Sequence, residues 1–399
     1  MAGLLLPGLP RELTEMLAQV SAIAAAGDDA AARDEQYASL ERMLRAAQGG
    51  DSAAVAEGRP SRRRQRISAC SAARLANIRL VCCDMDGTWL GPDHAPTPGG
   101  RRALRLAESA AAGHLTWVFA TGRCPASAAG VARIDGLLRR PGIYSNGAVV
   151  LGETGEELYA LDLPAPALEL ATSISRRKGG ETSVLFNDRS TFYYVRQGAA
   201  AAERELPEHA LHLHRVYHDP CPVAVDQLPD GASIQLIHIV GEPEALDRVQ
   251  VECETALSGV AAVARNLPTD LVLTHVDAHK GFAVKRLCAA LASGSGWAAA
   301  AAAVGEDQDE DANAEGIVLC MGDSGNDCTM LRSCSGVGVA MANAREETLD
   351  AGEFCTQATN GDDACPGVLE VIELVCQAKA VHANVNAKAA ESSDDAKHS

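Results

Sequence analysis

The sequence of 399 residues has few aromatic side chains and no long apolar run. Phe, Trp and Tyr make up 4% of the residues, so we expect a core built mainly from Val, Leu and Ala. No stretch approaches the ~18 consecutive apolar residues that a helix needs to cross a bilayer, which argues against a membrane role. A hydrophobic share of 47% with 22% charged residues is typical of a globular protein with a sizeable core.

Positive charge is also scarce. The 35 Lys and Arg residues face 53 Asp and Glu residues, and the net charge of −18 argues against nucleic-acid binding through bulk electrostatics. The exception is the basic run Arg59-Pro-Ser-Arg-Arg-Arg-Gln-Arg66, which is typical of a solvated linker and, as the alternative, of a sorting or docking signal. An acidic protein that binds an anionic substrate needs local positive charge, so single Lys and Arg residues in its site become important.

Cysteine pairs with metal-ligand or redox spacing are absent. None of the 13 cysteines forms a C-x-x-C pair, and no zinc-ligand spacing occurs. The first residues are apolar, but Arg11, Glu12 and Glu15 follow early and make a poor signal or transit peptide. We therefore expect reduced thiols and a cytoplasmic protein, with an organelle as the alternative location.

The hydrophobic pattern changes several times along the chain. From residue 77 short apolar strands alternate with helical patterns, which predicts a parallel sheet in an α/β domain, whereas residues 160–272 predict an α+β insertion with an antiparallel sheet. The predicted segments are a helical N-terminal extension (1–49), a flexible linker (50–76), the α/β core (77–159 and 273–380, with a disordered loop at 293–316), the inserted domain (160–272) and a disordered tail (381–399). The extension offers a surface for a protein partner.

Two carboxylates follow the first predicted strand of the core, in Val81-Cys-Cys-Asp84-Met-Asp86-Gly-Thr88. Like charges this close to an apolar strand are unfavourable through repulsion and desolvation. A magnesium site that also holds an anionic substrate would offset this cost, and one Asp would then serve as nucleophile and the other as proton donor. A simple capping turn is the alternative.

Three further motifs follow or precede regular elements. Thr121-Gly-Arg123 follows a strand and suits an anion cradle, the alternative being a helix N-cap by Thr121 with Arg123 on the surface. Lys280 begins a predicted helix, where a lysine is usually a solvated charge. The glycine-rich turn Gly322-Asp323-Ser-Gly-Asn326-Asp327 comes directly after another strand and favours metal ligation.

In this order the motifs resemble the haloacid dehalogenase (HAD) superfamily of phosphohydrolases, in particular its Cof-type branch, from about Ile78 to Leu374. Ser145-Asn-Gly-Ala148 and Asp277-Ala-His-Lys280-Gly281 fit the same branch. The resemblance implies a Rossmann-like α/β core with a parallel sheet and an inserted α+β cap. It also implies a Mg²⁺-dependent phosphatase that hydrolyses a small phosphorylated metabolite, such as a sugar phosphate or a phosphorylated cofactor, through an aspartyl-phosphate.

The resemblance further implies roles for individual residues. Asp84 would be the nucleophile, and Asp86 would be the acid and then the base. Mg²⁺ would be bound by Asp84, the backbone carbonyl of Asp86 and Asp323, with Asp327 in support. The residues implied in holding the substrate phosphate are Thr121, Gly122, Arg123, Asn146, Lys280 and Asn326.

Several alternatives stay open at the level of sequence. A phosphotransferase or phosphomutase would use the same core, and a scaffold or regulator with a vestigial site is a non-enzymatic alternative, against which the intact acidic motifs argue. Trp89 replaces the small aliphatic residue usual in the family, and we favour core packing over a narrowed cleft. The cap residues that we consider as candidates to face the substrate are His212, His214, Tyr217 and Gln235.

Overall fold

The computed structural model describes residues 65–109, 115–177, 181–196, 206–294, 317–333, 336–362 and 366–395. The predicted N-terminal extension, most of the predicted linker and most of the predicted loop at 293–316 lie outside these residues. Among the described residues, no helix is both long and apolar enough to span a membrane.

The described residues form fifteen strands and ten α-helices. The strands are β1 (Gln65–Arg66), β2 (Leu80–Cys83), β3 (Thr116–Ala120), β4 (Gly142–Tyr144), β5 (Val149–Leu151), β6 (Glu157–Ala160), β7 (Thr182–Asn187), β8 (Phe192–Val195), β9 (Val223–Val225), β10 (Leu236–Gly241), β11 (Ala261–Leu267), β12 (Asp270–His275), β13 (Val318–Gly322), β14 (Val337–Ala340) and β15 (Phe354–Cys355). The helices are α1 (Ala72–Asn77), α2 (Pro98–Ala107), α3 (Pro125–Ala132), α4 (Ala165–Ser175), α5 (Glu208–Tyr217), α6 (Pro243–Ala256), α7 (Lys280–Gly294), α8 (Cys328–Ser333), α9 (Glu346–Ala351) and α10 (Gly367–Asp395).

The core domain is a nine-stranded sheet in the order β1-β15-β14-β13-β2-β3-β4-β5-β6. Its strands are parallel from β1 to β4, and β5 and β6 are antiparallel at one edge. All four residues of β2 are buried, and alternate residues face opposite sides: Val81 and Cys83 join one apolar cluster, Leu80 and Cys82 the other. The two clusters bury the sheet between helices on both faces, as a parallel sheet requires.

The inserted domain, here called the cap, is a six-stranded sheet in the order β11-β12-β10-β7-β8-β9. The pairs are antiparallel except for β8 with β9. The hairpin that the sequence pattern predicts between residues 182–186 and 191–196 is present as β7 and β8. Helices α4 and α6 pack on one face through Ile174 and Leu246, and α5 packs on the other through Leu213. The prediction of an α/β core with an inserted α+β domain is confirmed.

Some predicted boundaries differ from the structure. Part of the predicted linker is folded, because Ile67 and Leu75 are buried in the core cluster that also includes residues of α10. The apolar pattern predicts a helix over about residues 126–138, but α3 ends at Ala132 because Arg133 adopts a left-handed conformation with φ of 50°. Helix α10 continues to Asp395, where we predicted a disordered tail from residue 381, because that segment is rich in Ala and contains neither Gly nor Pro.

Candidate active site

The polar groups of the first, second and fourth motifs lie at one edge of the core sheet. Strands β13, β2 and β3 are parallel neighbours, so their carboxyl ends meet. Asp323 follows β13, Asp84 follows β2 and Thr121 follows β3. In an open α/β sheet this edge is where ligands bind.

Lys280, the first residue of α7, lies between two of the acidic motifs. Its side chain is fully buried, and Nζ donates to Oδ1 of Asp84 over 2.5 Å and to Oδ1 of Asp327 over 2.7 Å. Burial opposes the ammonium charge, but Asp327 and Asp84 outweigh it and raise the pKa of Lys280 above its ordinary value. The lysine is therefore a fixed positive charge inside the site, not a solvated one.

The turn after β13 is held by the carboxylate of Asp327. Its Oδ2 accepts from the backbone N–H groups of Asp323, over 3.0 Å, and Ser324, over 3.1 Å. Asp323 in turn accepts a hydrogen bond from the Thr88 hydroxyl over 3.1 Å. Gly87 beside it has φ of +77°, and a Cβ there would lie 2.2 Å from Oδ2 of Asp323, so only glycine fits.

Three carboxylates could hold a metal ion. One oxygen each of Asp84, Asp323 and Asp327 lies within 4.8 Å of the others. Burial raises the pKa of Asp84 well above its ordinary value, with Lys280 opposing, and burial followed by the charge of Asp327 raises the pKa of Asp323 to about 7. Three acids against one ammonium leave an excess of negative charge, which a hard divalent cation with oxygen ligands would offset.

The second carboxylate of the first motif has different partners. Arg123 donates two hydrogen bonds to Asp86, from Nε to Oδ2 and from Nη2 to Oδ1, each 2.7 Å long. Nδ1 of His94 lies 2.9 Å from Oδ1. Burial opposes the charge of Asp86, but Arg123 and His94 outweigh it and hold the pKa of Asp86 well below its ordinary value. The two aspartates thus have pKa values shifted in opposite directions.

The remaining predicted phosphate ligands lie around the end of β3. The Thr121 hydroxyl accepts from the backbone N–H of Arg123 over 3.1 Å, and the Thr121 carbonyl accepts from the N–H of Asn146 over 3.0 Å. Asn146 has φ of 57°, and its Oδ1 accepts from Nδ2 of Asn326 over 2.9 Å. A Cβ on Gly122 would lie 3.0 Å from the same Oδ1. The structure therefore brings these residues together, and their phosphate-binding roles stay predictions.

The four cap candidates occupy different places. Tyr217 reaches the site, since its ring lies edge-on to that of His94 with centroids 4.5 Å apart. His214 instead contacts the cap backbone, with Nδ1 2.6 Å from the carbonyl oxygen of Asp219. The third, His212, packs beside Tyr217 at a centroid distance of 6.3 Å. Gln235 is fully buried and donates to Ser233 and Asp162, at a connection between core and cap.

Sequence reasoning missed His94 and Asp219 as site residues. A histidine ten residues after Asp84 between two prolines carried only a weak signal, and Asp219 lies in the cap, 96 residues from its partner Arg123. Trp89 is buried, donates from Nε1 to the Gly100 carbonyl over 2.8 Å and packs edge-on against Phe119. The interpretation of Trp89 as a core-packing residue is confirmed.

This sheet, its cap and its strand-end carboxylates define a class of hydrolase. The family model for haloacid dehalogenase-like hydrolases matches residues 81–300 and 314–372, and the chain belongs to this family. Among curated proteins, it is 30% identical over 301 residues to "Putative phosphatase YxeH" of Bacillus subtilis, covering 74% of this chain and 98% of that one. An uncharacterized hydrolase, C215.10 of Schizosaccharomyces pombe, is 26% identical over 312 residues, covering 74% of this chain and 91% of that one.

Solved structures share the fold. A haloacid dehalogenase-like hydrolase from Bacteroides thetaiotaomicron superposes with a TM-score of 0.55 at 21% identity, over 74% of this chain and 98% of that one. A "putative HAD/COF-like hydrolase" from Plasmodium vivax gives 0.58 at 17% identity, over 76% of this chain and 97% of that one. The predicted resemblance to Cof-type phosphohydrolases of the HAD superfamily is thus confirmed by the family model and the curated relative.

Proposed function

We propose that the protein is a Mg²⁺-dependent phosphatase that hydrolyses a small phosphorylated metabolite, such as a sugar phosphate or a phosphorylated cofactor, through an aspartyl-phosphate on Asp84. The observation that carries the proposal is the buried Lys280, which pairs with both Asp84 and Asp327 at the carboxyl ends of β2 and β13. A fixed ammonium beside a carboxylate nucleophile provides the positive charge that a phosphoryl group in transfer requires.

The residues fit Mg²⁺, which prefers a few carboxylates and completes its shell with water and phosphate oxygens. Asp84, Asp323 and the backbone carbonyl of Asp86 would hold the ion. Both oxygens of Asp327 already accept hydrogen bonds, from Lys280, Asp323 and Ser324, so its part would be to orient Lys280 and the turn. Bound there, Mg²⁺ would neutralise charge on the phosphoryl oxygens and on the carboxylates.

The chemistry would proceed in two displacements at phosphorus. In the first, a carboxylate oxygen of Asp84 bonds to phosphorus while the ester P–O bond breaks, and the leaving oxygen takes a proton from Asp86. In the second, Asp86 takes a proton from a water molecule whose oxygen bonds to phosphorus, and the bond to Asp84 breaks. The products are the alcohol, inorganic phosphate and the regenerated carboxylate of Asp84.

The surroundings of Asp86 suit the second step as they stand. Arg123 and His94 favour the ionised carboxylate, which is the form that accepts a proton from water. Donation of a proton in the first step requires that Asp86 is protonated, and in that form its carbonyl oxygen can still accept a hydrogen bond from Arg123. The Thr121 hydroxyl, the amide of Asn326 and nearby backbone N–H groups would hold the phosphoryl oxygens together with Lys280.

The proposal is tested by assaying the full chain against a panel of phosphorylated metabolites and para-nitrophenyl phosphate, with Mg²⁺ or with chelator. We expect hydrolysis with Mg²⁺, loss of activity in chelator, and loss in the Asp84→Asn variant, which preserves volume but removes the nucleophile. Hydrolysis that survives both treatments would contradict the proposal. Transfer to an alcohol acceptor faster than to water would identify a phosphotransferase instead.

A further inference from the structure

Arg123 connects the core site to the cap. Its side chain is only 6% exposed, and two of its three nitrogens donate hydrogen bonds to the two oxygens of Asp86. The third, Nη1, donates to Oδ1 of Asp219 over 2.9 Å and to the carbonyl of Tyr217 over 2.8 Å, both in the cap. Ser127 of α3 supports the same end of the guanidinium, since its hydroxyl contacts Nη1 over 3.1 Å and donates to Asp219.

His94, the other partner of Asp86, meets the same part of the cap. Its ring contacts Asp86 through Nδ1 and packs edge-on against Tyr217 with centroids 4.5 Å apart. Tyr217 is the last residue of α5, and His218 ends the helix in a left-handed conformation with φ of 59°. This reversal brings the Tyr217 ring, the Tyr217 carbonyl and the Asp219 carboxylate to the partners of Asp86.

We infer that Arg123 is a positioning residue for Asp86 and that Asp219 of the cap fixes Arg123 in that role. The inference rests on the proposed function, in which Asp86 is the acid and the base. A guanidinium is a rigid planar fork, so anchoring one end of it determines where the other end holds a carboxylate. The cap turn 217–219 thereby controls the placement of the group that transfers protons.

The leaving-group dependence of the reaction separates this role from a purely structural one. Departure of a phenolate needs more help from a proton donor than departure of para-nitrophenolate, whereas the two phosphate esters have nearly the same shape. The value of kcat/KM covers the steps through departure of the leaving group, so it reports on the acid function of Asp86. The ratio of kcat/KM for phenyl phosphate to that for para-nitrophenyl phosphate also cancels any difference in the fraction of folded enzyme.

We would measure this ratio in the wild type, Asp219→Asn, Arg123→Lys and the control Asp226→Asn. Asp219→Asn keeps the volume and an acceptor oxygen but removes the charge, and Arg123→Lys keeps the charge but removes the fork. Asp226 is an exposed cap aspartate that pairs with Arg196 over 2.8 Å, far more accessible than Asp219 (side chains 78% and 10% exposed).

The expected result is a fall of the ratio on the order of tenfold in Asp219→Asn and in Arg123→Lys. A displaced acid loses part of the rate acceleration that proton donation to the leaving group provides. In Asp226→Asn the ratio should stay within about twofold, since an exposed ion pair contributes little. An unchanged ratio in Asp219→Asn would overturn the inference while leaving the proposed function intact. An equal loss for both esters in Arg123→Lys would assign Arg123 to phosphate binding instead. A wild type without phosphatase activity would overturn the proposed function and the inference with it.

Discussion

At the scale of single residues, Gly87 occupies a position in the site that only glycine can fill. The glycine belongs to the motif that carries Asp86 and lies against Asp323, and its positive φ of +77° lets the chain turn past the Asp323 carboxylate. Two separate constraints act on this position, namely the backbone conformation and the lack of space for a Cβ. Gly231 in the cap shares the first constraint, with φ of +72°, but has no atom within 4 Å of an added Cβ.

We predict that Gly87→Ala lowers kcat/KM on the order of a hundredfold, because Asp323 must move and a displacement of about 1 Å in a catalytic group has effects of that size. Weaker Mg²⁺ binding, measured by calorimetry, should accompany the loss. Gly231→Ala should lower the free energy of unfolding by about 1 kcal/mol, the cost of the left-handed conformation, and should leave kcat/KM unchanged. Equal effects of the two substitutions on activity would contradict the steric account of Gly87.

The burial of Lys280 in the site could not be predicted from its local sequence. Alone, a lysine at a helix start predicts a solvated charge, and only its place in the order of motifs marked it as a site residue. The structure gives the physical reason, since α7 packs beneath the sheet and its first residue is carried into the space between Asp84 and Asp327. Burial of the ammonium depends on this packing, which no local pattern specifies.

At the scale of elements, the cap sheet contains a buried ion pair that links β10 and β12. Nδ1 of His238 lies 3.0 Å from Oδ1 of Asp270, and both side chains are nearly inaccessible. Burial opposes the imidazolium, but Asp270 outweighs it and raises the pKa of His238 above its ordinary value. The pair therefore stabilises the cap only while the histidine is protonated.

We predict that this contribution is fully present below the ordinary histidine pKa of about 6.5 and is lost as the pH rises through the higher pKa of the folded state. Urea unfolding of the wild type and of His238→Gln across this range would isolate it. The free-energy difference between the two proteins should shrink with rising pH. A difference that stays constant, or grows with pH, would contradict the assignment.

The elements also show what sequence patterns could and could not predict. Parallel strands had to bring the residues after β2, β3 and β13 to one edge, so the gathering of Asp84, Thr121 and Asp323 was predictable. Contacts made by the cap could not be predicted in this way. The contact between Asp219 and Arg123 depends on how the cap packs against the core, which no local pattern specifies. The early end of α3 was also missed, because Arg133 gives no sign in its residue type of a left-handed conformation.

At the scale of the whole molecule, every residue assigned to the site lies after the division of the chain into two units between Arg63 and Arg64. The described residues begin close to that point, with β1 beside β15 and Ile67 buried in the core. Residues 65–77 thus belong to the structural core although they precede the first of the four motifs.

We predict that a chain starting at Arg64 retains phosphatase activity, since all site residues and their supporting elements are kept. A chain starting at Ile78 should be less stable, because it loses the buried side chains of Ile67 and Leu75, at about 1.5–3 kcal/mol each. Thermal unfolding and activity of the two truncations provide the comparison. Loss of activity in the first truncation would show that residues 1–63 contribute to the site.

The central claim is that Asp84 carries the phosphoryl group, and trapping that group tests it most directly. Asp86→Asn should slow release of phosphate more than capture from para-nitrophenyl phosphate, because the good leaving group needs little protonation while the attacking water loses its base. After acid quenching, mass spectrometry should find one phosphoryl group on the peptide containing Asp84, and none in the Asp84→Asn, Asp86→Asn double variant. A phosphoryl group on another residue, or phosphate release with no phosphorylated enzyme during turnover, would contradict the account.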